Sequence, residues 1–126
     1  MNPPFFPAIN VSAVWAVFGS NPVRVFPFGE APKDTGKPYA VWQTVNGRPY
    51  NYLNEVPDGD DWLVQVDVYV ESESPATAIN QVTEGARVLR DALEPVAHIT
   101  AWRGASREPT TKFYRYSFDV SFVTSR

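Results

Sequence analysis

The chain contains no cysteine, which excludes a disulfide framework and any thiolate metal site. Its single histidine, His98, has no second histidine or cysteine to complete a zinc site or a catalytic triad, so a structural or solvent-facing role is expected. Positive charge is scarce. With 11 Lys and Arg against 14 Asp and Glu, the net charge is -3 and the pI is near 5.0. Such a balance argues against a general nucleic-acid binder, which carries a basic face to neutralise phosphates. No hydrophobic run is long enough to span a bilayer, and none is expected to contact a membrane. The apolar stretch after Pro4 has no basic start, the first Arg or Lys being Arg24, so it does not read as a secretory signal. The seven glycines are scattered, with no phosphate-binding loop among them. Gly104-Ala105-Ser106 makes no nucleophile elbow. There is no internal repeat and no low-complexity tract.

What is abundant is proline and aromatic side chains: 12 Pro, 4 Trp, 6 Tyr and 8 Phe. This combination implies a stiff, loop-rich domain with heavy side chains lining a sheet. At 126 residues the chain, 1–126, is expected to fold as one domain.

Pro7 suits the first turn of a helix, and Ala8 to Phe18 reads as that helix, stopped by Gly19 and Asn21-Pro22. Only Asn10 and Ser12 are polar within it, so it is apolar around most of its circumference. Such a helix needs burial on several sides, which points to contact with another subunit. Val23 to Phe26 is a short strand, followed by a Pro- and Gly-rich loop to Pro38. Tyr39 to Val45 reads as a strand, and Asn46-Gly47 as a type I′ turn returning the chain through Arg48 to Leu53 as a hairpin arm. From Trp62 to Glu71, strict alternation marks a strand, with Trp62, Val64, Val66, Val68 and Val70 on one face.

Ser74-Pro75 is an N-cap with proline at the first helical position, and Ile79, Val82, Ala86, Leu89 and Leu93 follow at helical spacing up to Pro95. The other face carries Glu84, Arg87, Arg90, Asp91 and Glu94, a solvated or intersubunit surface. Strands at Val96 to Trp102 and Thr111 to Thr124 close the chain. In the last, Tyr114, Tyr116, Phe118, Val120 and Phe122 share one face.

The expected fold is therefore α+β: a single, mainly antiparallel β-sheet with two α-helices packed on one face, plus an extended hairpin arm and long loops. Gln65, Asp67, Arg115, Ser117 and Asp119 fall on the opposite face. That face is left open to solvent, a neighbour or a channel.

Acidic residues give no stronger lead. Asp58, Asp60 and Asp61 begin like a calcium loop, and Glu71 is twelfth from Asp60, but Trp62 and Val64 occupy liganding positions and offer no oxygen. Asp67 and Asp119 would pair if their strands were neighbours, with Arg115 as counter-charge, and polar-face placement explains them better than acid-base chemistry. An RNA-recognition sheet is disfavoured because the aromatics lie on the face that must pack under helices. Arg103, Arg107 and Lys112 form the one basic cluster and read as interface or loop residues.

The chain resembles the tail-completion or tail-terminator proteins of long-tailed bacteriophages. The segments that carry the resemblance are Asn21-Pro22-Val23-Arg24-Val25-Phe26-Pro27-Phe28-Gly29-Glu30-Ala31-Pro32, Pro38-Tyr39-Ala40-Val41-Trp42-Gln43, and Asn51-Tyr52-Leu53 with Pro57-Asp58. Further on come Gln65-Val66-Asp67-Val68-Tyr69, Arg90-Asp91-Ala92-Leu93-Glu94-Pro95 and Tyr114-Arg115-Tyr116-Ser117-Phe118-Asp119-Val120.

The resemblance implies a virion protein of the tail or neck, assembled in the host cytoplasm, with no enzymatic activity, catalytic residues or cofactor. It would cap the tail tube as a homohexameric ring, touching the tube protein and the head-tail connector and meeting genomic DNA transiently. A neck adaptor or stopper is the neighbouring alternative, and a small nucleic-acid-binding module the alternative of another class. Expected contact residues are Phe5, Phe6, Val11, Trp15 and Phe18 near the N-terminus, Phe28, Glu30 and Lys33 in the loop, and Arg48, Tyr50 and Tyr52 on the arm. Asp67, Glu71 and Asp119 are candidates for a lumen.

Overall fold

A computed structural model describes residues 5–20, 23–32, 38–49, 59–71, 74–109, 111 and 113–125, with the backbone alone for 46–49 and 125. Its elements are α1 (Phe5–Ile9), α2 (Ser12–Phe18), β1 (Val25–Pro27), β2 (Tyr39–Pro49), β3 (Gly59–Val70), α3 (Pro75–Leu93), β4 (His98–Arg107) and β5 (Tyr114–Ser125). The five strands form one sheet in the order β1-β2-β3-β5-β4. β1 runs parallel to β2, and all other pairs are antiparallel. The α+β, mostly antiparallel expectation holds.

The first helix differs from expectation. Val11 is extended (φ −133°, ψ 157°) and breaks the run into α1 and α2. Burial is the physical reason. Phe5 and Ile9 on α1, and Val14 and Phe18 on α2, all reach full burial, and the bend turns both short apolar stripes toward one core. Gly19, at φ 81°, then closes α2, its N–H donating to the Trp15 carbonyl at 2.8 Å.

α3 begins where the cap signal placed it. Ser74 Oγ accepts from the Thr77 N–H at 3.4 Å, and Pro75 occupies the first turn. It buries Ala78, Val82, Ala86, Val88, Leu89 and Leu93 while Ile79 is exposed. At Gly85 the helix packs tightly on the sheet and on α2. A Cβ there would lie 2.9 Å from Val68 Cγ1 and 3.2 Å from Phe18 Cζ.

The hairpin turn expected at Asn46-Gly47 does not form. Strand β2 continues through it to Pro49, pairing Asn46 with Leu63 and Gly47 with Trp62. A register shift between Thr44 and Asn46 absorbs one extra residue, and the long partner strand β3 satisfies the backbone on the far side. Tyr50 to Leu53 of the expected return strand lie outside the described residues. The closing strands also shift: β4 runs on to Arg107, because the Glu108 N–H bonds to the Phe113 carbonyl at 2.8 Å and tightens the connection.

The core lies between the helices and one sheet face. Val64, Val66 and Val68 of β3 pair with Val120, Phe118 and Tyr116 of β5. Phe5 stacks on Trp42 at 4.8 Å and meets Phe122 edge-on at 6.2 Å. Tyr114 and Val70 join Ala78 and Val82 in a second cluster at the far end.

Candidate functional site

The sheet face turned away from the helices is polar by strand alternation, and it is more buried than alternation alone implies. Asp67 is 6% exposed, Ser117 3% and Asp119 8%. Cross-strand pairing sets them side by side, Asp67 opposite Ser117 and Gln65 opposite Asp119. Asp67 and Asp119 therefore do share a face of adjacent strands. The counter-charge on Asp119, however, is Arg103 of β4 and not Arg115. Arg103 is the extra residue of a register shift between Trp102 and Gly104, where Gly104 takes a positive φ of 72°. The Asp119 carboxylate raises the pKa of the Arg103 guanidinium, chiefly by accepting its hydrogen bonds. Arg115 instead turns to Glu108, with Nη1 3.4 Å from Oε1, and is hydrogen-bonded to the Tyr69 hydroxyl. Its buried Nε–H has no acceptor among the described residues.

Beside this row the surface sinks into a concavity of about 370 Å³. Gln43, Gln65 and Asp67 form its floor, and Tyr39 and Tyr69, stacked at 5.2 Å, lie along it. Glu108, Thr111, Phe113 and Arg115 close one end, while Phe28 and Gly29 belong to the other side. Phe28 is 71% exposed. It follows β1 in a turn where Gly29 has φ 83°, a conformation that glycine adopts without strain. Burial raises the Tyr69 hydroxyl above its ordinary pKa, helped next by the Asp67 charge. Burial likewise raises Tyr39, with Glu108 adding to it.

The other expected contact residues scatter. Phe5 and Phe18 are wholly buried in the chain's own core, so neither offers a contact surface, because intrachain packing already uses their apolar area. Phe6, Val11 and Trp15 are 39–49% exposed, and Trp15 Nε1 donates to Asn10 Oδ1 at 2.9 Å. Glu30 and Glu71 are exposed. Lys33, Tyr50, Tyr52 and the Arg48 side chain lie outside the described residues, as does Lys112. Arg103 and Arg107 are on β4, Arg107 lying 5.8 Å from the Tyr114 ring centre. His98 is exposed at the start of β4. Among the described residues no three His, Cys, Asp or Glu side chains are placed to hold a metal, and no helix is long and apolar enough to cross a membrane.

Sequence reasoning missed the tyrosine-lined concavity and the Arg103 pairing. Both depend on which strands become neighbours: Tyr39 and Tyr69 meet only because β2 pairs with β3 in that register.

Fold and surface together define an α+β protein with helices on one sheet face and a sculpted polar surface on the other. A comparison with curated proteins finds no match. The family model described as tail completion protein gp17 matches residues 8–125, nearly the whole chain, and the chain belongs to that family. It is accordingly a structural protein of a bacteriophage tail.

Proposed function

We propose that this protein completes the tail tube as a homohexameric ring, the whole chain acting as one domain, and presents the docking surface for head joining. The observation that carries the reading beyond family membership is the exposure of Phe6, Val11 and Trp15 along α1, α2 and the break between them, while Phe5, Ile9, Val14 and Phe18 of the same segment fill the core. Exposed large apolar side chains concentrated on one segment mark a protein contact. In a heterologous ring each subunit offers two different patches, and α1–α2 is one of them. The loop after β1, with Phe28 and Glu30, supplies part of the other. The ring partners are the tube protein on one side and the head-tail connector on the other, with DNA passing through the centre. Of the three acids considered for a lumen, Glu71 is the exposed one; Asp67 and Asp119 present little charge outward.

Imaging of the source phage's tails by cryo-electron microscopy tests this. The expected result is a closed ring of this chain between the last tube ring and the connector, with Trp15 at a joint. Absence from the tail end, or a solvent-facing Trp15 in every copy, would overturn the reading. A chain bound to heads before tails arrive would assign it to the neck instead.

A further inference from the structure

We propose that the concavity beside Tyr39 and Tyr69 is the receptor for an arginine side chain of another tail protein. The inference rests on the assembly reading for the identity of that occupant, and on the geometry below for its chemistry.

Asp67 is the central observation. The residue is only 6% exposed, yet its carboxylate accepts from a neutral amide, Gln65 Nε2, at 3.1 and 3.3 Å from its two oxygens. Among the described residues it has no ion-pair partner. Arg103 acts on it through space, and its hydrogen bonds go to Asp119 and Ser117. A buried carboxylate gains most from a cation that brings several N–H donors. Glu108 adds a second negative charge at the end of the concavity, against the single positive charge of Arg115.

The stacked tyrosines decide which cation fits. A guanidinium is planar and weakly hydrated, and it stacks on aromatic rings while donating in a fork to a carboxylate. An ammonium on a lysine stem is a compact, strongly hydrated point charge with neither the planar face nor the fork. The Gln43 side chain on the floor offers a further acceptor.

The described arginines of this chain are already engaged, and the assembly reading supplies the arginine from another protein. Arg24 donates to the Pro38 and Val17 carbonyls, and Arg87 and Arg90 pair with acids along α3. Arg103 and Arg115 hold Asp119 and Glu108, and Arg107 lies over Tyr114.

The test is a titration of the ¹⁵N-labelled full chain with the tripeptide acetyl-Gly-Arg-Gly-amide, followed by amide chemical shifts. Saturable shifts are expected at Tyr39, Asp67, Tyr69 and Phe113, with weaker binding of the lysine tripeptide and none of the glutamate one. Asp67→Asn should weaken the arginine peptide roughly tenfold or more, the cost of losing a charge-assisted hydrogen bond. Glu84→Gln on α3 should leave binding unchanged. Tyr39→Leu provides a second lesion that keeps the charges, so a fold defect in one variant does not decide the outcome. Shifts that fail to saturate, or that are insensitive to both substitutions, would overturn the proposal. If the arginine peptide instead dissociates a self-associated form of the purified protein, the occupant is a second copy and the assignment to another protein is wrong. In imaged particles, a chain seated at the tail end with no neighbouring arginine in the concavity sinks this inference alone, whereas a chain absent from tails sinks the assembly reading.

Discussion

Arg103 grips Asp119 across the edge of the sheet with both terminal guanidinium nitrogens, Nη1 to Oδ1 at 2.8 Å and Nη2 to Oδ2 at 2.6 Å, while Nη1 also reaches Ser117 Oγ at 3.1 Å. Bidentate geometry of this kind is the strong form of an ion pair. It ties the edge strand β4, whose residues are nearly all exposed, to the buried strand β5. Removing the arginine leaves a shielded carboxylate without its donors. Because Arg103 is itself half exposed, solvent screens part of the loss. Arg103→Ala should therefore cost about 1–2 kcal/mol in urea unfolding, and Asp119→Asn in the same chain should recover part of it. An additive double variant would show that the pair does not hold β4.

Gly85 sits where α3 presses on Val68 and Phe18. Alanine is favoured over glycine in a helix by about 1 kcal/mol, yet its methyl would enter a space already filled by a stiff valine. Overpacking costs about 1–3 kcal/mol, so Gly85→Ala should lower the thermal midpoint. Val68→Ala should therefore cost less in the Gly85→Ala background than in the parent. A stabilised Gly85→Ala would mean the helix can lift from the sheet without penalty.

Phe18 and Trp15 are three residues apart on one helix and should behave oppositely. Phe18→Ala empties a fully buried site and is expected to cost about 3–5 kcal/mol. Trp15→Glu changes a partly exposed side chain and should leave a folded protein, within about 1 kcal/mol of the parent. The same variant should fail to complete tails in a complementation assay. Normal particles from Trp15→Glu would remove Trp15 from the contact surface.

Tyr69 and Tyr39 should ionise above the ordinary tyrosine value of 10.0, chiefly because burial disfavours phenolate. The folded chain then holds these protons more tightly than the unfolded one. Their contribution to stability is complete below the unfolded value and is lost as pH rises through the higher folded values. Ultraviolet titration should show phenols ionising above the ordinary tyrosine value, fewer of them in Tyr69→Phe, and Tyr69→Phe should flatten the alkaline loss of stability. If Tyr69→Phe leaves the alkaline unfolding curve unchanged, the buried phenol is not its cause.

Elements whose signal is local were legible in the chain. The Ser74-Pro75 cap and the apolar series after it placed α3. The alternation in β3 and β5 placed their core faces, with Val64, Val66, Phe118 and Val120 fully buried. Asn46-Gly47 is the instructive miss, for the dipeptide favours a turn by itself, but pairing with Leu63 and Trp62 outweighs that preference. A backbone that can satisfy its hydrogen bonds along a neighbouring strand has no need to turn.

By itself, then, the sequence determined the class of fold, the acidic and cysteine-free character and the family, because composition, periodicity and caps act over a few residues at a time. Tertiary structure alone decided that the apolar N-terminal run bends at Val11, that Arg103 and not Arg115 meets Asp119, and that Tyr39 and Tyr69 stack beside Asp67. The bend follows from burying both short helices against one core, and the two pairings depend on strand order and register, which bring together residues far apart in the chain and which no local preference encodes.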